Sequence, residues 1–177
     1  MNLSAVDVLI YGNNRNLVTL QKTALAAFNF KKIHWSPTFT DMRESMTLAF
    51  RDIIIINDHA DLDMEAMLTM LRTEKSIANP FAVVILVTPN SSRKYIQNAL
   101  RIGADGVMGL PFSATDMWKQ LSFFINHQRT FLRTGSYFGP DRRRIKGISY
   151  DGDERRDADE IDEDDRVADR SRLAAAS

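Results

Sequence analysis

Short apolar runs rich in β-branched residues alternate with amphipathic stretches along most of the chain, and this alternation restricts the fold more than any other feature. The clearest runs span residues 6–11, 52–57 and 82–88, and weaker ones span 33–35 and 106–110. Continuous apolar runs of this length are typical of parallel strands buried on both faces. The stretches between them repeat apolar residues with helical spacing. The order βαβαβαβαβα therefore predicts an α/β fold, with a doubly wound five-stranded parallel sheet between two layers of helices.

The composition excludes several classes of protein. The chain has 177 residues, no cysteine, and 23 basic residues against 23 acidic ones. Without cysteine there is no disulfide framework, no Cys-ligated zinc and no thiol nucleophile. The balanced charge argues against a dominant nucleic-acid surface. Neither a secretion signal nor a long apolar stretch is found, which favours a cytoplasmic protein.

The C-terminal part of the chain has a different character. Sixteen of the 22 residues from Asp151 to Arg172 are charged, and only two of the 22 are large and apolar. Such a segment buries too little apolar surface to offset the entropy lost on ordering. We therefore expect a folded domain at residues 1–134 and a charged, disordered tail at residues 135–177.

The last helix is predicted from about Ala114 to Arg133. Trp118, Leu121 and Phe124 or Ile125 are expected to complete the core. As an alternative, the end near Phe131 and Leu132 would project past the sheet and provide a docking or homodimer surface.

Four segments carry a resemblance to a known family. They are the first strand VDVLIYGNN, the third strand RDIIIIND, the fourth strand AVVILVTP, and ALRIGADGVMGLPF around the fifth strand. Over roughly residues 6–125 the sequence resembles the receiver domain of two-component response regulators. The resemblance implies a flavodoxin-like (βα)5 fold and a role in bacterial phosphorelay signalling.

Working receivers phosphorylate an aspartate after the third strand, and the resemblance locates the corresponding pocket. The family's acidic pair, which holds magnesium, aligns with Gly12 and Asn13, and its phosphoacceptor aligns with Asn57. Its lysine aligns with Leu110, and only Thr88 keeps the family's residue type. An amide cannot form an acyl phosphate, and the aligned residues offer no anionic charge for magnesium. The sequence therefore predicts a degenerate pocket with no metal, no cofactor and no enzymatic activity.

Asp58 is the alternative phosphoacceptor. Reading the third strand one residue later would make Asp58 the acceptor. Because side chains alternate along a strand, that shift sends Asp58 to the face opposite Asn57 unless a bulge intervenes.

Other patterns are weaker. The loop from Tyr11 to Asn14 matches neither a P-loop nor a dinucleotide fingerprint. The three histidines have no metal-ligand spacing. The basic patch Arg142, Arg143, Arg144 and Lys146 leaves open a third interpretation, that of nucleic-acid or nucleotide binding.

The sequence thus favours a pseudo-receiver, a phosphorylation-independent protein-interaction module. The resemblance implies protein partners in a signalling pathway, such as a histidine kinase or another regulator. It further implies docking on the face made by the fourth helix, fifth strand and fifth helix, where the candidate contacts are Lys94, Tyr95, Gln97, Asn98, Arg101, Val107 and Trp118.

Overall fold

The structure is a computed structural model, and it describes residues 3–59, 62–127, 130–134, 137–141 and 159–160. A short 3-10 helix, Leu3–Ala5, leads into the main fold. The strands and helices then follow in this order: β1 Asp7–Tyr11, α1 Arg15–Ala27, β2 Lys32–Ser36, α2 Phe39–Leu48, β3 Ile53–Asn57, α3 Met64–Thr73, β4 Val83–Thr88, α4 Arg93–Ile102, β5 Gly106–Gly109, α5 Ala114–Asn126, β6 Phe131–Thr134, β7 Tyr137–Pro140 and β8 Asp159–Glu160.

The first five strands form one parallel sheet in the order β2-β1-β3-β4-β5. This is the flavodoxin-like order, and it confirms the predicted (βα)5 fold. The apolar runs are continuous because the central strands are covered on both faces. Ile53 and Ile55 of β3 belong to the core beneath α1 and α5, whereas Ile54 and Ile56 belong to the core beneath α2, α3 and α4.

The prediction that the last helix reaches Arg133 is wrong. Helix α5 ends at Asn126, and the backbone N–H of His127 donates to the carbonyl of Phe123. Strands β6 and β7 then pair antiparallel, and β8 pairs with the other edge of β6. The apolar pattern continued to Leu132 because Phe131 and Leu132 are buried in a strand. Hydrophobicity over so few residues does not distinguish a buried strand from a helix.

Phe131 and Leu132 are 1% and 8% exposed, so the predicted docking surface at this end of the helix is also wrong. The Phe131 ring lies 5.0 Å from that of Phe81 and 5.8 Å from that of Phe138. The Arg72 guanidinium carbon lies 5.2 Å from the centre of the same ring. The small second sheet is therefore packed against the main domain.

Arg72 itself is buried at the end of α3. Its guanidinium donates to the carbonyls of Pro80, Ala82 and Gly103, and it forms an ion pair with Asp105 at 2.9 Å. These partners lie before β4 and β5, at the N-terminal ends of the strands. The second sheet therefore adjoins the end of the main sheet that is opposite the predicted site.

Regular structure continues past residue 134, which was predicted as the end of the folded domain. Strand β7 and the two residues of β8 fall within the predicted tail. Both strands pair with β6 through their backbones, and a count of charged residues does not detect such pairing. The basic patch Arg142, Arg143, Arg144 and Lys146 lies outside the described residues.

We expect Phe131→Ala to lower the free energy of unfolding by about 3–5 kcal/mol, because it removes a buried ring from the contact with Phe81, Phe138 and Arg72. Phe123→Ala is the matched control. Phe123 is 49% exposed, so its loss should cost less than about 1 kcal/mol. Urea titrations of both variants measure the difference, and equal losses would show that β6 does not belong to the core.

Candidate functional site

The carboxyl ends of β1, β3 and β4 meet at one edge of the sheet, where polar side chains follow the apolar runs. The parallel pairing of β3 with β4 sets Asn57 opposite Val87. By the same register, the next residues along each strand are Asp58 and Thr88. Asp58 continues the pairing, since its backbone N–H donates to the carbonyl of Val87 at 2.8 Å. The sheet therefore brings Asp58, rather than Asn57, beside Thr88.

One carboxylate oxygen of Asp58 accepts two hydroxyl hydrogen bonds. The hydroxyl of Thr88 donates to Oδ2 at 2.7 Å, and the hydroxyl of Tyr95 on α4 donates to the same atom at 2.7 Å. Thr88 is completely buried. Burial, followed by the hydrogen bond to Asp58, raises the pKa of Tyr95 to about 12. Asp58 thus holds a strand and a helix together through one atom.

Asn57 points to the other face of the sheet, towards α1. Its side-chain amide donates to the oxygen of Gln21 at 2.9 Å, and the Gln21 amide donates to the Asn57 oxygen at 2.7 Å; both residues are buried. Such a reciprocal pair satisfies both carbonyl oxygens and one N–H of each amide. Asn57 therefore has a structural role on the α1 face and does not meet Thr88. The resemblance assigned Asn57 and Thr88 to one pocket, whereas the sheet register directs their side chains to opposite faces.

Gly12 follows β1 in a backbone conformation that favours glycine. Its φ is +151°, and a Cβ built there would lie 2.8 Å from the Cβ of Asn57. The Trp35 indole N–H donates to the Gly12 carbonyl at 2.9 Å. Residue 12 is therefore sterically closed to an aspartate side chain in this backbone.

The next two residues are more open. Asn13 is exposed. Asn14 is the N-cap of α1, and its side-chain oxygen accepts from the backbone N–H groups of Asn16 and Leu17 at 3.1 Å. No carboxylate stands among residues 12–14 to attract a divalent cation.

Leu110 and Val107 occupy the positions that the resemblance assigned to the lysine and the switch aromatic. Leu110 is half-buried and packs against the core beneath α1 and α5. It precedes Pro111 through a cis peptide bond. Val107 packs against the core on the other face. Both side chains are therefore packed against the core, and neither supplies a charge or a hydroxyl.

An open cleft of about 630 Å³ lies beside Asp58, between the start of α3 and the loop before α4. It contains three carboxylates and no lysine or arginine, and its lining residues are Asp58, His59, Leu62, Asp63, Met64, Glu65, Pro89 and Tyr95. Asp63 caps α3, since its Oδ1 accepts from the Ala66 backbone N–H at 2.9 Å. An anionic cleft of this composition repels a phosphoryl donor, since no cation offsets the charge.

His59 lies beside this cleft, with its Nε2 atom 3.2 Å from the Tyr11 hydroxyl. Burial raises the pKa of Tyr11. Within the described ranges, no group of three or more His, Cys, Asp or Glu side chains is arranged to hold a metal ion. The described residues also contain no helix long and apolar enough to span a bilayer.

The predicted partner contacts divide by exposure. Lys94 and Arg101 of α4 are exposed, and Gln97 and Asn98 are half-buried. Trp118 is half-buried, with its ring 5.0 Å from that of Phe28. Tyr95 was predicted only as a contact for partners, yet its hydroxyl is directed inward to Asp58.

One feature of the sequence could have located Asp58. Asp58 is five residues after Ile53, and Thr88 is five residues after Val83, the residue paired with Ile53. Equal spacing from paired residues places the two side chains on the same face. The sequence spacing does not indicate the hydrogen bond from the Tyr95 hydroxyl to Asp58, because that bond depends on how α4 packs.

No family model matches the sequence, and no curated protein matches it. Among solved structures, the fold is similar to the receiver domain of a sensor histidine kinase from Pseudomonas aeruginosa, which was solved with magnesium coordinated in its active-site cleft. The identity is 17%, the TM-score is 0.59, and the match covers 69% of this chain and 98% of that one.

Two response regulators give similar results. The chemotaxis response regulator CheY4 of Vibrio cholerae has 16% identity and a TM-score of 0.60, with 67% of this chain and 97% of that chain covered. A response regulator from Thermotoga maritima has 16% identity and a TM-score of 0.62, with 69% and 98% covered. The chain therefore has the receiver-domain fold of two-component response regulators.

Proposed function

We propose that this chain is a cytoplasmic signalling module of the receiver fold that acts through protein contacts and not by phosphotransfer. The observation that carries this proposal is the occupation of Asp58 Oδ2 by two neutral hydroxyls, those of Thr88 and Tyr95. The carboxylate that directly follows β3 is thus engaged inside the protein.

The chemistry of phosphotransfer supports the same conclusion. A carboxylate oxygen must bond to phosphorus while the bond from phosphorus to the donor breaks, and the charge on the phosphoryl oxygens has to be neutralised. Receivers neutralise it with magnesium and lysine. Here residues 12–14 carry no charge, residue 110 is leucine, and the cleft lining contains no basic residue except His59.

A surface suited to contacts lies at the β5 edge of the sheet. Helix α4 carries Arg93, Lys94 and Arg101 and no acidic residue. On α5, Phe123 is 49% exposed. Basic residues on α4 and an exposed aromatic residue on α5 suit a partner with both acidic and apolar residues on its surface, such as a kinase or another regulator.

A second function has one observation in its favour. The bond between Thr88 and Asp58 resembles the arrangement expected of a phosphoacceptor and its threonine, so Asp58 is the candidate acceptor of an atypical phosphorylated receiver.

Incubation with acetyl phosphate and magnesium, followed by intact-mass measurement, separates the two functions. We expect no species heavier by about 80 Da, the mass of one phosphoryl group. An active receiver run in parallel checks the reagents. Labelling of the wild-type chain that Asp58→Asn abolishes would establish the second function. Labelling that survives Asp58→Asn would also contradict our proposal, because another residue would then accept phosphate.

The triple variant Asn13→Asp, Asn14→Asp, Leu110→Lys tests whether the pocket lacks only the charged groups that phosphotransfer needs. Aspartate caps helices as well as asparagine does, so the start of α1 should be preserved. We expect magnesium-dependent labelling to appear in this variant, because the two carboxylates and the lysine supply the missing charges. Adding Asp58→Asn should abolish it. If the triple variant stays unlabelled, Asp58 is not in the acceptor position.

Asn57→Asp should destabilise the protein without creating a phosphoacceptor. It places a carboxylate in the buried pair with Gln21, and we expect the free energy of unfolding to fall by about 3 kcal/mol. Asn13→Asp is the matched control, since the same change at an exposed residue should have little effect. Chemical denaturation measures both, and labelling of Asn57→Asp by acetyl phosphate would refute the structural role of Asn57.

A further inference from the structure

We propose that Tyr95 is a positioning residue that couples the state of Asp58 to the surface of α4, by acting as a latch at the start of that helix. The inference deepens the proposed function, on which it rests, because it names how the α4 surface would be regulated. It stands on a ring of hydrogen bonds, on the weak anchoring of α4, and on the cleft beside Tyr95.

The ring begins and ends at Asp58 and encloses the loop between β4 and α4. Thr88 donates to Asp58, and the backbone N–H of Asn90 donates to the Thr88 hydroxyl at 3.0 Å. The Ser92 N–H donates to Asn90 Oδ1 at 3.1 Å, and the Tyr95 N–H donates to Ser92 Oγ at 3.4 Å. The Tyr95 hydroxyl then returns to Asp58. Asn90 and Ser92 of this loop are thus linked to one carboxylate.

Helix α4 is less deeply buried than α3 and α5. Only Ala99 is buried among its ten residues, whereas α3 and α5 bury four residues each. A helix with so small a buried face depends strongly on polar contacts at its end. The bond from Tyr95 to Asp58 is therefore a large part of what fixes the first turn of α4.

The two ends of the latch differ in freedom. Thr88 is completely buried in β4 and cannot move without disturbing the sheet. Tyr95 is half-buried and lines the open cleft of about 630 Å³, so its ring has room to turn away from Asp58. The latch thus has a closed state with the ring of bonds intact and an open state with the Tyr95 hydroxyl in water.

A group that binds Asp58 more strongly than a phenol does would favour the open state. A cationic side chain from a partner, entering the anionic cleft, is such a group. Release of Tyr95 would change the presentation of its neighbours Lys94, Gln97 and Asn98. Conversely, a partner that binds the closed α4 surface would strengthen the bond at Asp58, since coupling between two sites is reciprocal.

Hydrogen exchange on the full chain, measured by mass spectrometry, tests the latch. We expect Tyr95→Phe to raise exchange in residues 93–102 about fivefold, as loss of one hydrogen bond implies, and Asp58→Ala, which also removes the bond from Thr88, to raise it at least as much. The double variant should exchange no faster than the faster single variant, because both changes remove the same bond. Exchange in α1 should not change.

Tyr11→Phe is the matched control. It removes a similar phenol hydroxyl near the same cleft, one whose partner is His59 and not Asp58. We expect wild-type exchange in α4 for this variant. Wild-type exchange in Tyr95→Phe, or additive effects in the double variant, would overturn the latch. The acetyl phosphate experiment does not depend on this result, so failure of the latch and failure of the proposed function are distinguishable.

The pKa of Tyr95 tests the bond to Asp58 separately from packing, because a side chain that acted only by packing would keep its pKa when Asp58 is replaced. The ultraviolet difference between wild type and Tyr95→Phe isolates this phenol among the four tyrosines. Its pKa is raised to about 12 by burial and then by Asp58, so Asp58→Ala should lower it. Because the folded pKa is raised, stability from the bond is complete below about pH 10 and is lost as the pH rises through 12. An unchanged Tyr95 pKa in Asp58→Ala would contradict the coupling.

Discussion

Burial of strand β3 on both faces is the constraint on which the rest of this structure depends. Its four isoleucines are at most 1% exposed, and they supply both cores of the domain. No polar side chain is accommodated until the strand ends. The change from apolar to polar at Asn57 and Asp58 therefore fixes where a site is located, and the alternation of side chains gives the two residues different partners. Asn57 completes the packing of α1, while Asp58 connects β4 to α4.

The sequence was sufficient to predict the five-stranded sheet, because each strand and helix depends on patterns within a short segment, and the flavodoxin-like order followed from the resemblance. The alignment set Asn57 in the acceptor position, whereas the sheet register brings Asp58 beside Thr88. Matching segments to a family leaves an uncertainty of one residue, and a shift of one residue reverses the face of a strand. The pairing of Ile53 with Val83, which resolves this shift, is a relation between two strands.

The C-terminal region illustrates a second limit. Phe131 and Leu132 have the hydrophobicity of a helix face, and the sequence allowed this end to project past the sheet, whereas the structure buries both residues in a strand. Their burial depends on Phe81 and Arg72, which are distant in the sequence. Likewise, the helical spacing of Tyr95, Ala99 and Ile102 places Tyr95 on the packed face of α4, but only the packed helix directs its hydroxyl to Asp58. Sequence patterns within one segment do not reveal its contacts with distant segments.

The close approach of Gly12 to Asn57 restricts the order in which substitutions can accumulate. With 2.8 Å between the position of a new Cβ and the Cβ of Asn57, and with φ at +151°, an acidic residue at position 12 requires an earlier rearrangement of the backbone and of residue 57. Residue 57, however, is held by Gln21 across the helix interface. A charged residue 12 is therefore separated from the present arrangement by a step that first loses stability.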